Sequence, residues 1–237
     1  MRRYSSAQGS QWSPPIYYCS EEIAMPRIDL KQGEQKKHIA RALKELRDGF
    51  VIVAPLEHGY VYLTDAFAPY SVRSMHVLRK DPDGVAAQVL AHSAQTVTGI
   101  ARDISDETKA LMDEFWPGLL SLNLKPMRAL TWDLGDDTEL DLFSVRVPKS
   151  KFVKALLKEF GPLAVASASP AGQPPMLKIN RTDVKEWDVA AVFDNGPLKR
   201  GPRTTVVEVS KSGLRIVREG AISRDALSAV APSLSGR

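Results

Sequence analysis

Several separated polar residues, each at the end of a β-patterned run, give this sequence its capacity for chemistry. Arg146 sits in "SVRVP", flanked by Val145 and Val147, just before Pro148. A guanidinium keeps its charge, and its planar fork of donors matches a carboxylate or a phosphate. Ser167 and Ser169 lie in "ASASPAG", a turn of small residues after a strand-like run. Such a turn can aim backbone N–H groups and hydroxyls at an anion. Thr204 and Thr205 follow "GPR", and Arg218 stands in "VREG". Each piece alone is ordinary: two serines in a turn, or an edge-strand arginine in a surface ion pair. Together they describe anion-binding groups at strand ends, where open α/β sheets gather their ligands.

Other chemistries lack their signatures. There is no G-x-x-x-x-G-K-[ST] loop, no G-x-G-x-x-G and no G-x-S-x-G elbow. His38, His58, His76 and His92 are scattered, and no Cys/His cluster has metal-ligand spacing. His58 or His76 could serve as a base or simply pack. Asp136, Asp137, Glu139 and Asp141 form either a cation site or a solvated turn, with the turn favoured. Cys19 is the only cysteine, so no intrachain disulfide forms and a reducing, cytoplasmic setting is expected.

Composition agrees with a soluble enzyme or binding domain. The chain has 237 residues, 43% hydrophobic and 25% charged, with net charge +4 and pI ≈ 9.1. That charge favours polyanions, although the basic residues are dispersed. No apolar run approaches the ~18 residues of a membrane span.

The elements that must position these groups can be read from pattern. Residues 1–26, rich in Ser, Gln, Pro and Tyr, read as a disordered or loosely docked extension; residues 27–237 read as one domain. Ile39, Leu43 and Leu46 give helical spacing, stopped by Gly49. "FVIVAP" reads as a buried strand. Helices are expected at 69–79, 94–101 and 106–115, and a strand near 85–91. "LLSLNL" alternates as a strand, and "ALTWDL" and "LFSVRV" are expected to flank the acidic turn. "KFVKALLKEF" is an amphipathic helix, followed by the strands "PLAVASA", "DVAAVF" and "RTTVVEVS", a hairpin partner "GLRIVRE", and a closing helix capped by Ser223. Interleaved strands and helices, with short turns late in the chain, predict an α/β domain: a single twisted mixed sheet flanked by helices.

The motifs "FWPGLLSLNL", "SVRVP", "ASASPAG" and "PRTTVVEV…LRIVREGAIS" resemble, in order and spacing, those of the YrdC family, which contains the threonylcarbamoyl-AMP synthases of tRNA t6A modification. The resemblance spans about residues 33–230. It implies a concave basic cavity that takes ATP as substrate, with Mg2+ accompanying the nucleotide and no tightly bound metal. It implies that Arg146 and Thr204 contact the amino acid, with Leu56 in the pocket. Arg79, Ser167, Ser169 and Arg218 fall at nucleotide-binding positions.

Four departures from the family pattern stand out. Leu56 replaces a threonine, "RKDP" replaces K-G-R-P so that Asp81 stands at an arginine, Ser169 replaces an asparagine, and Pro202-Arg203 replaces V-E. On this alignment Asp81 would oppose the polyphosphate. Parts of the chain look closer to the YciO branch. Two readings therefore stand: a synthase with a degenerate tetrad, or a non-synthase paralogue binding nucleotide, double-stranded RNA or tRNA.

Overall fold

The computed structural model describes residues 26–130, 132–137, 141–180 and 189–235. The strands are β1 (Arg27–Asp29), β2 (Ile52–Pro55), β3 (Tyr60–Asp65), β4 (Gln88–Leu90), β5 (Ala101–Arg102), β6 (Leu120–Pro126), β7 (Phe143–Arg146), β8 (Leu163–Ser167), β9 (Ala191–Asp194), β10 (Thr205–Ser210) and β11 (Gly213–Arg218). The helices are α1 (Gln35–Arg47), α2 (Pro69–Arg79), α3 (Ala94–Ile100), α4 (Asp106–Phe115), α5 (Lys151–Phe160) and α6 (Arg224–Val230).

One sheet runs in the order β1-β9-β2-β3-β8-β4-β7-β6-β10-β11, with β5 paired to β6 off this path. The pairs β1/β9, β2/β9, β4/β7 and β6/β10 are parallel. The pairs β2/β3, β3/β8, β4/β8, β6/β7 and β10/β11 are antiparallel. This is the mixed sheet that the short connections predict.

Helices cover both faces because both faces of the central strands are apolar. Successive strand side chains point to opposite sides. Ile52, Ala54, Val61, Leu63 and Val165 pack with Leu43 and Leu46 of α1 and Val153, Leu156 and Leu157 of α5. Their neighbours Val53, Tyr60, Tyr62, Ala164 and Ala166 pack on the other face with Val72 and Met75 of α2, Leu111 of α4 and Leu227 of α6. Burying one such leucine contributes roughly 1.5–3 kcal/mol. Ser93, Ser105, Ser150 and Ser223 cap α3, α4, α5 and α6 by accepting a hydrogen bond from the third helical N–H.

Some sequence expectations shift. The strand expected at 85–91 is confined to Gln88–Leu90, and β3 completes an antiparallel pair with β2. The described residues of "ALTWDL" form no strand; β7 instead pairs with β6. Leu130 turns back through its N–H to Met127 O. The Trp132 ring is wedged edge-on between Phe67 and Phe143, with centroids 5.2 and 5.0 Å away. Packing of that ring holds the segment as a loop. Residues 1–25, Cys19 among them, and Glu139 lie outside the described residues.

Candidate active site

The β2–β3 loop and the ends of β7, β8 and β11 converge on a cavity of about 510 Å3. Leu56, Arg79, Arg146, Ser167, Thr204 and Arg218 all line it. Ser169 does not. It is 5% exposed, and its N–H donates to Ser167 Oγ at 3.3 Å, so it shapes the turn behind the wall.

Arg146 ends β7 and is 4% exposed. Its Nη1 donates to Glu57 Oε2 at 3.0 Å and to Gly118 O at 3.2 Å. Its Nε is buried without a partner, an uncommon state for a charged donor. The other Glu57 oxygen accepts from the Lys149 N–H. Burial pushes the Glu57 carboxyl up, but the Arg146 charge and the Lys149 N–H outweigh it and hold the group below the usual carboxylate range. Strand β7 therefore presents to the cavity a cation that the protein already pairs with Glu57.

Arg79, the last residue of α2, carries a second guanidinium to the cavity. Here the structure corrects the expectation for Asp81. Its side chain is 3% exposed and is absent from the cavity lining. It sits 3.0 Å from Arg79 Nη1 and 2.8 Å from His76 Nδ1. Lys80 closes the helix in the left-handed conformation (φ 59°), and the Asp81 N–H returns to His76 O. That cap turns the carboxylate back towards the helix and away from the cavity.

The third cationic wall is the β10–β11 hairpin with the segment before it. Arg218 Nη2 donates to Thr204 Oγ1 at 2.8 Å, and Nε and Nη2 both reach Thr204 O. Burial lowers the Arg218 pKa, and the nearby Arg203 charge lowers it further. Behind them, the wholly buried Thr205 donates to Ile222 O and accepts from the Gly220 and Ile222 N–H groups. One hydroxyl thus locks the "REGAI" segment onto β10.

The full set is four arginines (Arg79, Arg146, Arg203 and Arg218) facing one carboxylate, Glu57, among the described residues. Glu57 and Gln88 escaped the sequence reading, and Arg203 entered it only as an offset to Asp81. An acid one residue past Leu56 carries no signal until a cation from another strand is placed beside it. His58 also lines the cavity; its Nδ1 donates to Lys199 O at 3.1 Å. His76 lies behind the wall rather than in it. Asp133 and Asp137 pair with Arg73. Among the described residues no group of three His, Cys, Asp or Glu side chains could hold a metal. No helix among them is long and apolar enough to cross a membrane.

With this geometry, comparisons with known proteins become specific. The family profile Sua5_yciO_yrdC, described as "Telomere recombination", matches residues 44–220. The chain belongs to the Sua5/YciO/YrdC family. A Mycobacterium tuberculosis protein assigned as a threonylcarbamoyl-AMP synthase is 29% identical over 205 residues, covering 86% of this chain and 94% of the relative. P. abyssi Sua5, solved in complex with L-threonine, superposes with a TM-score of 0.76 at 21% identity, over 90% of this chain and 64% of that longer one. E. coli YciO gives 0.72 at 21% identity, over 85% of this chain and 98% of its own. These two likenesses establish the fold.

Proposed function

We propose that the cavity binds ATP and a small amino acid and joins them with bicarbonate into a carbamoyl-adenylate, releasing pyrophosphate. This is the threonylcarbamoyl-AMP synthase reaction of tRNA t6A modification. The observation that carries the reading is the four-to-one excess of guanidinium over carboxylate in one strand-end cavity. The amino group attacks the carbon of bicarbonate with loss of water, giving a carbamate. A carbamate oxygen then attacks the α-phosphorus as the bond to pyrophosphate breaks. Arg146 is the carboxylate anchor, its guanidinium lining the cavity beside Glu57. Arg79, Arg203 and Arg218 oppose the charge that spreads over the phosphate oxygens; one lost donor of this kind typically costs about 3 kcal/mol of barrier. The residues present offer Mg2+ no site of their own, because Glu57 is engaged by Arg146 and Lys149. The ion belongs to the Mg-nucleotide substrate.

The departures make this a slow or altered synthase. Leu56 presents methyl groups where the family has a hydroxyl, and the buried Ser169 cannot reach the cavity as a lining asparagine would. The test is pyrophosphate release from ATP and bicarbonate across a series of L-amino acids, beside calorimetry with ATP. Expected is amino-acid-dependent release slower than that of an undegenerate family synthase. The pairing of Arg146 with Glu57 favours a second reading, a YciO-like protein that binds nucleotide without synthesis, because an incoming carboxylate must share Arg146 with a resident one. ATP binding with no pyrophosphate for any amino acid selects that reading. Tight RNA binding that weakens between two salt concentrations would place RNA among its partners.

A further inference from the structure

Arg79 stands at a junction of three segments, and the contacts around it form a chain. Its carbonyl accepts from the Ala171 N–H of the small-residue turn at 3.0 Å. Its guanidinium meets Asp81, which meets His76 Nδ1. His76 Nε2 reaches Leu134 O at 2.8 Å, and the same carbonyl accepts from Ala87 N–H on the cavity wall. Both ring nitrogens of His76 therefore have an oxygen within hydrogen-bond distance, which fixes the plane of the ring. Gly135 makes room: a Cβ there would lie 2.4 Å from His76 Nε2. Arg79 Nε remains buried and unpartnered, although the guanidinium borders the cavity.

We propose that Asp81 and His76 are positioning residues that hold the Arg79 guanidinium in place to receive a nucleotide polyphosphate. The proposal rests on the nucleotide reading of the cavity. Arg79 carries 27% side-chain exposure, and a free arginine at that exposure samples many rotamers. A carboxylate 3.0 Å from Nη1, itself fixed by a histidine anchored on backbone, removes that freedom before the ligand arrives. The acid at position 81 is thus a brace, and the arginine of the family pattern would leave Arg79 beside a like charge.

The experiment compares wild type, Arg79→Ala, Asp81→Asn, Asp81→Arg and Arg79→Ala/Asp81→Asn. ATP affinity is read by calorimetry, L-amino-acid affinity serves as a control, and the Arg79 Nε–H is followed by NMR without ligand. Wild type is expected to give a distinct, slowly exchanging Nε–H signal that Asp81→Asn loses. Asp81→Asn should weaken ATP roughly tenfold and leave amino-acid affinity unchanged. Asp81→Arg should weaken ATP at least as much rather than strengthen it. The double variant should bind ATP no worse than Arg79→Ala, since a residue acting through Arg79 has nothing to act on without it. An unchanged Nε–H signal in Asp81→Asn, or additive losses in the double variant, overturns the brace. Wild-type protein that keeps the signal but binds no ATP overturns the nucleotide reading and with it the brace's purpose.

Discussion

Arg146 and Arg218 reach the same cavity under opposite conditions. Arg146 is 4% exposed and meets a carboxylate that the fold itself supplies, Glu57. Arg218 is more exposed, meets the two oxygens of Thr204 and no carboxylate among the described residues, and has Arg203 as a like-charged neighbour. The first cation has a carboxylate partner within the fold; the second has only neutral oxygens among the described residues. Charge balance therefore separates a cation paired within the fold from one that is not.

The largest effect that tests this contrast comes from Arg146→Ala. The ion pair predicts a lower melting temperature: the partly buried Glu57 is left without its cation, a loss of up to about 3–5 kcal/mol. Replacing both partners, Arg146→Met with Glu57→Gln, should restore most of that stability without restoring amino-acid binding. Thermal melts beside amino-acid calorimetry check both halves, and full recovery of binding would end the anchor assignment. The pH sign follows. The folded Glu57 carboxyl titrates below its ordinary 4.5, so its stabilisation is complete above that value and is lost as pH falls through the folded pKa. Glu57→Gln should flatten that part of the acid-stability curve.

A smaller and cleaner effect is expected on the other wall. Arg218→Ala should weaken ATP roughly 10- to 100-fold, as lost hydrogen bonds to a charged ligand do, with little change in melting temperature. A large loss of unliganded stability would erase the distinction between the walls. The smallest effect belongs to Leu56→Thr, which restores a hydroxyl. It should shift preference towards L-threonine over isosteric L-valine by a few-fold, read as the ratio of their pyrophosphate-release rates.

How much of this could be read from sequence depended on the range of the interaction. Helix α2 runs Pro69–Arg79 as its pattern predicts, and Ser223 caps α6, because both signals are local. Arg146, Thr204 and Arg218 were legible as polar groups at strand ends, and the structure brings all three to one cavity. Glu57 was not, because its meaning comes from Arg146, 89 residues away. Asp81 was misplaced for a local reason that is hard to see: a non-glycine residue, Lys80, takes the left-handed conformation and reverses the direction of the next side chain. Ser169 was assigned to the cavity by motif, and burial in its own turn removed it.

The position of β9 bears on the order in which this chain can be assembled. It pairs with β1 on one side and β2 on the other, though it is made long after both. On a ribosome synthesising from the N-terminus, β1 has no partner among the described strands until residues 191–194 emerge, and β2 keeps one edge open. An open edge is a template for pairing with the wrong chain. The slot therefore stays vacant through most of translation, and the sheet becomes continuous only when a late segment slides between two early ones.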